Sequence, residues 1–242
     1  MKILLIGYGR MGRLIEQTAL AAGDEIAAVV DIDTIGKLET MDRAADVAVD
    51  FSNPAALPAV AAYIRRTGTP LLSGTTGMTA DDLAVLDKLG QYAPVLHSAN
   101  YSIGVAVFRR ALEAVSGVLK PDFDIEIVET HHNQKVDAPS GTAKMLLEAI
   151  DPNHEYTPVY GRQGICGKRT EKEIGVHAIR GGTEAGTHTV SFFGADEVLE
   201  ITHRASSRQI FVNGALHMAR KLANMPKGRY NLQEILFGGE KA

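Results

Sequence analysis

The sequence predicts an α/β protein in two parts: a doubly wound domain around a parallel sheet, and a smaller α+β domain with a mixed sheet. Three observations lead there. Through the first hundred residues, short apolar runs alternate with Ala- and Leu-rich stretches at helical spacing. The rhythm then gives way to strand-like runs that follow one another without intervening helices. A last helical stretch, 206–222, reads as the chain returning to the first domain.

Runs 2–6, 26–30, 47–51, 70–72 and 94–96 are short and largely apolar, as strands buried on both faces require. Stretches 13–22, 54–66 and 80–89 carry the helical spacing between them. Ser52-Asn53 before Pro54 is a cap followed by a first-turn proline, and Thr79 with Asp82 makes a second start signal. Parallel strands need crossovers, so the β-α-β-α order implies helices on both faces. Beyond it, 103–119 predicts a longer helix, 123–129 a strand and 142–150 a helix. Residues 151–170 read as a loop. Runs 174–180, 187–193 and 198–203 read as strands, the last two joined by a hairpin turn at Gly194-Ala195-Asp196-Glu197.

Composition excludes several classes. At 242 residues, 45% hydrophobic and 22% charged, the chain has room for one or two ordinary globular domains. A net charge of −4 gives no footprint for nucleic acid or an anionic membrane. Cys166 is the only cysteine, so no intramolecular disulfide or multi-cysteine metal site forms, and a cytoplasmic protein is expected. No apolar run approaches the roughly 20 residues of a membrane span.

Gly7-Tyr8-Gly9-Arg10-Met11-Gly12 matches G-x-G-x-x-G directly after the first strand and at the opening of the first helix. Alone the pattern is weak and often marks a tight turn. In this context Gly7 makes the turn, Gly9 lets backbone approach a pyrophosphate, and Gly12 allows close helix–strand packing, so a Rossmann-type dinucleotide site is expected. Asp31, 19 residues after Gly12, stands where a carboxylate binds ribose hydroxyls and repels a 2′-phosphate. No arginine adjoins it (Ile32 and Asp33 follow), so NADH is the expected preference over NADPH, with Lys37 or Arg13 able to soften it.

The densest chemistry lies in Glu129-Thr130-His131-His132-Asn133-Gln134-Lys135-Val136-Asp137-Ala138-Pro139-Ser140-Gly141-Thr142-Ala143. Two histidines and a lysine share a polar loop that runs into a helix start. The helix N-terminus, the bare Gly141 amide and the hydroxyls of Ser140 and Thr142 suit a carboxylate, and Lys135 adds a positive charge and a transferable proton. Each residue also has a plain reading: Lys135 a solvated charge, Ser140 a helix cap, the histidines surface groups. The histidine pair lacks third and fourth ligands, so no metal is expected.

This run, E-x-H-H-x-x-K-x-D-A-P-S-G-T-A, resembles the signature of the 4-hydroxy-tetrahydrodipicolinate reductases. Gly7–Gly12, the segment Ser73-Gly74-Thr75-Thr76-Gly77, the segment Ser98-Ala99-Asn100-Tyr101-Ser102-Ile103-Gly104 and the stretch 199–208 are similar to that family at matching places, so the resemblance spans almost the whole chain. It implies NAD(P)H-dependent reduction of a cyclic imine dicarboxylate to tetrahydrodipicolinate, in diaminopimelate and lysine biosynthesis, by a homotetramer. Carried onto this sequence, it makes His131 and Lys135 the acid–base candidates, with Lys135 the proton donor to the ring nitrogen. His132, Lys135, Ser140, Gly141 and Thr142 would hold the substrate carboxylates, with Arg208 a further anion contact. Gly7, Tyr8, Gly9, Arg10, Met11, Gly12 and Asp31 would hold the dinucleotide, and Gly74, Thr75, Thr76, Ser98, Ala99, Asn100 and Tyr101 would line its nicotinamide side. The expected division is 1–102 with 209–242 for the dinucleotide, and 103–208 for substrate binding and oligomerisation. Two rivals carry less. An aldehyde dehydrogenase needs an activated thiol, but Cys166 sits in a Gly-rich loop without a helix start. A nucleotide-sensing module leaves the 131–142 loop unexplained.

Overall fold

A computed structural model describes residues 1–238. The chain forms two compact units, 1–102 with 209–238 and 103–208. Residues 239–242, the end of the expected first-domain segment, lie outside the described residues.

The first unit opens with β1 (Lys2–Ile6), α1 (Arg10–Ala21) and β2 (Glu25–Val30). A 3-10 segment, Ile32–Glu39, leads to β3 (Val47–Asp50). The stretch read as one helix over 54–66 divides into a 3-10 turn, Pro54–Ala56, and α2 (Leu57–Thr67). Pro58 in the first turn of α2 lacks an amide hydrogen and cannot extend an α ladder backwards. Asn53 caps the 3-10 turn, accepting from the Ala55 amide at 2.9 Å. Then follow β4 (Leu71–Ser73), α3 (Ala80–Leu89) and β5 (Pro94–His97). The Thr79–Asp82 capping box is present at the start of α3. On α2 the buried positions Leu57, Val60, Ala61 and Ile64 recur at helical spacing and pack against Leu4, Ile6, Ala48 and Leu71 of the sheet. Each such side chain contributes roughly 1.5–3 kcal/mol when removed from water.

The second unit comprises α4 (Ile103–Leu119), β6 (Asp124–His131), α5 (Gly141–Ile150), β7 (Thr157–Val159), β8 (Glu173–Arg180), β9 (Thr187–Phe193) and β10 (Val198–Arg204). Its strands lie in the order β10-β9-β6-β8-β7. The pairs β6/β8 and β7/β8 are parallel, while β6/β9 and β9/β10 are antiparallel, so the sheet is mixed as expected. Strand β7 falls inside the stretch read as loop. Phe108, Leu112, Ile125, Ile127, Leu146, Val190 and Phe192 are among the core residues between this sheet and its two helices.

The chain returns to the first unit with α6 (Gln209–Leu222), β11 (Gly228–Tyr230) and α7 (Leu232–Phe237). Helix α6 starts three residues later than the spacing suggested, and β11 and α7 were not foreseen. The first sheet is parallel throughout, in the order β11-β5-β4-β3-β1-β2. Chain direction across the sheet reverses between β1 and β3, and the strand ends there are where such sheets bind ligands. Among the described residues, no helix is long and apolar enough to cross a membrane.

Candidate active site

In each unit the residues singled out from sequence gather with further polar groups. In the first, Gly7 has φ +87°, and a Cβ there would stand 2.6 Å from the Phe51 carbonyl oxygen. A Cβ on Gly12 would meet the Gly7 oxygen at 2.1 Å, so helix and loop meet as closely as only glycine allows. Gly9 differs: a Cβ there would meet nothing within 4 Å. It caps α1 without a side-chain hydrogen bond, and the first-turn amides and the helix dipole face an open approach suited to a phosphate. The Tyr8 phenol donates to Glu16, and the Arg13 guanidinium lies 5.2 Å from the Tyr8 ring centre. Arg10 is exposed and Met11 half-buried. Asp31 is exposed at the end of β2 and caps the following 3-10 segment, accepting from the Ile32 amide at 2.9 Å.

Asp50, at the end of β3, is 3% exposed. Its carboxylate accepts from the Ser52 amide (3.1 Å) and hydroxyl (2.5 Å) and from the hydroxyls of Ser73 (3.0 Å) and Thr75 (3.1 Å). Burial raises its pKa, and the four hydrogen bonds only partly offset that. Asp50 thereby fixes the Gly74–Thr75 turn, while His97 Nε2 bonds the Thr75 carbonyl at 3.0 Å. Thr76 and Ala99 are exposed beside it. Ser98 donates to the Asn100 carbonyl at 2.7 Å. Tyr101 is 1% exposed, and its hydroxyl donates to the Ser73 carbonyl at 2.8 Å. With a second contact to the Leu96 carbonyl, it braces β4 and β5. Sequence reasoning passed over Asp50 and His97. The available signal was an acid closing a wholly apolar strand.

The second cluster is built on the inner face of the mixed sheet. Alternation along β6 puts Ile125, Ile127, Glu129 and His131 on the buried face. Glu129 is fully buried and saturated: Oε1 accepts from the Ser140 amide (3.0 Å) and Arg180 Nη2 (2.7 Å), Oε2 from His131 Nδ1 (2.6 Å) and Arg180 Nη1 (2.8 Å). Burial pushes its pKa up, but Arg180, His131 and the Ser140 amide outweigh that and hold it below the usual carboxylate range. Ser140 caps α5, its hydroxyl oxygen accepting from the Ala143 amide at 3.1 Å. The same hydroxyl lies 3.0 Å from His188 Nε2. Burial, reinforced by His131, lowers the His188 pKa to about 4. The donor in this contact follows the tautomer of the neutral ring, whose Nδ1 is buried with no hydrogen-bond partner among the described residues. The rings of His131 and His188 meet edge to face at 5.1 Å.

Lys135 Nζ pairs with the Asp137 carboxylate at 2.8 Å, and that pairing lowers the Asp137 pKa. The loop is pinned by His132 N to the Glu184 carbonyl (2.8 Å) and by Arg180 Nη2 to the Asp137 carbonyl (2.6 Å). Gly141 is exposed and Thr142 and His132 half-buried, whereas Ser140 is 2% exposed with its hydroxyl engaged. The structure thus brings His131, Ser140 and the start of α5 together and places Lys135 in the loop between them. Arg208 is exposed at the end of this unit. Cys166 is exposed in a loop away from any helix start. Among the described residues, no group of three or more His, Cys, Asp or Glu side chains is arranged to hold a metal. Glu129 opens the run singled out from sequence but was given no role there, and Arg180 and His188 were not singled out. Period-two alternation, which phases Glu129 with the core, was a signal for Glu129 alone.

Comparison with known proteins follows this division. Residues 1–101 match the family described as dihydrodipicolinate reductase, N-terminus, and residues 104–236 match its C-terminus. A 4-hydroxy-tetrahydrodipicolinate reductase of an Exiguobacterium species is 41% identical over 238 residues, covering 97% of this chain and 95% of the relative. One from Staphylococcus aureus is 43% identical over 243 residues, covering 97% of this chain and all of the relative. The fold also matches the dipicolinate-bound dihydrodipicolinate reductase of Paenisporosarcina sp. TG-14, with a TM-score of 0.76 at 20% identity over 98% of this chain and 99% of that one. With both halves of the pattern matched and relatives similar from end to end, the chain belongs to the dihydrodipicolinate reductase family.

Proposed function

We propose that the chain reduces a cyclic imine dicarboxylate, or the hydroxylated precursor that dehydrates to it, to tetrahydrodipicolinate with NAD(P)H. The observation that carries this reading is the succession, within residues 131–142, of His131 at the end of β6, Lys135 in the loop that follows and the exposed start of α5.

The first unit fits a dinucleotide. Gly9 leaves the N-terminus of α1 open, and the Asp50-bound turn of Gly74, Thr75 and Thr76 sits at the sheet's ligand-binding edge beside Ser98, Ala99, Asn100 and Tyr101. When bound, the nicotinamide supplies a hydride. In the second unit, the amides of Gly141 and Thr142, with His132 and Lys135, hold the substrate carboxylates against the positive end of α5. Ser140 helps by fixing that helix start. Hydride addition to the imine carbon leaves an electron pair on nitrogen, and Lys135 Nζ, exchanging its Asp137 contact, gives nitrogen a proton. His131, with Nε2 turned away from Glu129, serves as the second proton-handling group.

Three finer assignments belong to the same proposal. Asp31 favours NADH, its carboxylate repelling a 2′-phosphate. The protein works in the cytoplasm as a homotetramer, joined through the face of the mixed sheet opposite α4 and α5, where Ile179, Phe193 and Val198 are exposed. Residues 1–102 with 209–242 serve the dinucleotide, and 103–208 serve substrate and assembly.

The test follows NADH oxidation by absorbance with pyruvate, aspartate semialdehyde and a separate synthase that condenses them. Rapid oxidation only with all three present is the expected result. No oxidation by a protein that binds NADH would overturn the substrate assignment. The NADPH arm tests cofactor choice, and sedimentation tests the tetramer.

A further inference from the structure

The fully buried Glu129 carboxylate has a role beyond packing. Four donors approach its two oxygens, and two oxygens offer about four lone-pair sites. The donors come from three places in the chain: the guanidinium of Arg180 on β8, which supplies two, the Ser140 amide at the start of α5, and His131 two residues along β6. An ionised carboxylate only accepts, so His131 Nδ1 is a donor and Nε2 is the nitrogen left to exchange a proton. Nε2 in turn lies against Gly186, where a Cβ would come within 2.9 Å of it. Arg180 carries the same carboxylate's hold into the lysine loop through the Asp137 carbonyl, one residue from Val136 and two from Lys135.

We propose that Glu129 and Arg180 form a positioning pair for the reduction: Glu129 sets the tautomer and aim of His131, and Arg180 fixes the loop from which Lys135 reaches the substrate. A carboxylate kept only for stability would be an expensive choice here, since it occupies a core position in phase with Ile125 and Ile127. Its geometry instead serves the two proton-handling residues and the carboxylate-binding helix start together. This inference rests on the reductase reading for its kinetic consequence, though not for its structural one.

The first measurement needs no variant and no substrate. In 15N-labelled wild-type protein above the titration range of imidazole, ring-nitrogen shifts should show His131 protonated at Nδ1 and bare at Nε2. The opposite tautomer overturns the proposal whether or not the chain is a reductase. Second, Glu129→Gln should lower kcat by about 10–100-fold, the usual effect of removing a partner that orients a functional histidine, while leaving KM for the dinucleotide within twofold. In the same variant the His131 Nδ1–H population should fall. Full kcat in a folded Glu129→Gln protein would overturn the role. Arg180→Lys, which keeps a charge but loses the two-pronged contact, covers the case in which Glu129→Gln does not fold. It should raise KM for the dicarboxylate and keep the His131 tautomer, and an unchanged KM and kcat would count against the pair. Absence of turnover in wild type would remove the reductase reading alone, because the tautomer result stands without it.

Discussion

His188 offers a quantitative test of how the second unit is built. It is 4% exposed, its Nε2 faces the Ser140 hydroxyl, and burial lowers its pKa to about 4 from the ordinary 6.5. His131, His203 and Lys135 around it oppose a charge there, and Glu129 alone favours one. A histidine with a depressed folded pKa binds fewer protons folded than unfolded. Its contribution is therefore whole above pH 6.5 and is lost as pH falls towards 4. At about 1.4 kcal/mol per pKa unit, the gap amounts to about 3 kcal/mol in full and about 2 kcal/mol by about pH 5. The perturbation is His188→Gln, whose amide can still hydrogen-bond Ser140 but does not titrate. Urea unfolding of both proteins at about pH 7.5 and about pH 5, with protomer concentration held fixed, gives the comparison. Wild type should lose about 2 kcal/mol more than the variant between the two conditions. Equal losses would refute a neutral, buried His188.

Lys135→Ala should reduce turnover by about 10²–10⁴-fold with dinucleotide affinity kept, the range typical of a positioned acid. Near-normal turnover in steady-state assays would remove the lysine from that role. Asp31→Ala should lower the KM for NADPH relative to NADH, because the repulsion of a 2′-phosphate is gone; an unchanged ratio would place cofactor choice elsewhere. Gly186→Ala sets a methyl group against His131 Nε2 at a φ of +147°, a conformation L side chains rarely adopt. It should lower thermal stability by about 1–3 kcal/mol and cut kcat, and a variant with wild-type melting and kcat would show that this approach is unneeded.

What could be read from the sequence was whatever is written locally. The glycine loop after an apolar strand, the Thr79–Asp82 box and the Asn53–Pro54 start are formed by neighbouring residues, and each appears where the spacing put it. The alternation of strands and helices likewise gave the parallel sheet and then the mixed one. Strands β7 and β11 are three residues each and exist only because β8 and β5 lie alongside them, so no periodicity marks them in advance. The same holds in the second cluster. Residues 131–142 were legible because they are consecutive. Arg180 reaches Glu129 across 51 residues and His188 reaches Ser140 across 48, contacts that sheet register creates and sequence does not display.

The two buried carboxylates show why partner type matters as much as burial. Asp50 and Glu129 both accept four hydrogen bonds, yet burial prevails at Asp50 and raises its pKa, while at Glu129 the partners prevail and lower it. Every donor to Asp50 is neutral: one amide and three hydroxyls. Glu129 has a guanidinium on both oxygens. Substitution by the neutral amide should separate them. At Asp50→Asn the new NH2 meets hydroxyls, which can turn and accept, so the Gly74–Thr75 turn should hold and the cost should be about 1 kcal/mol. At Glu129→Gln the new NH2 meets Arg180, which has no acceptor to offer, and a buried cation is left underpaired at a cost of about 3–5 kcal/mol. Urea midpoints of the two variants, measured side by side, decide it. A Glu129→Gln protein as stable as Asp50→Asn would mean that Arg180 finds another acceptor, and that Glu129 is not what holds the lysine loop.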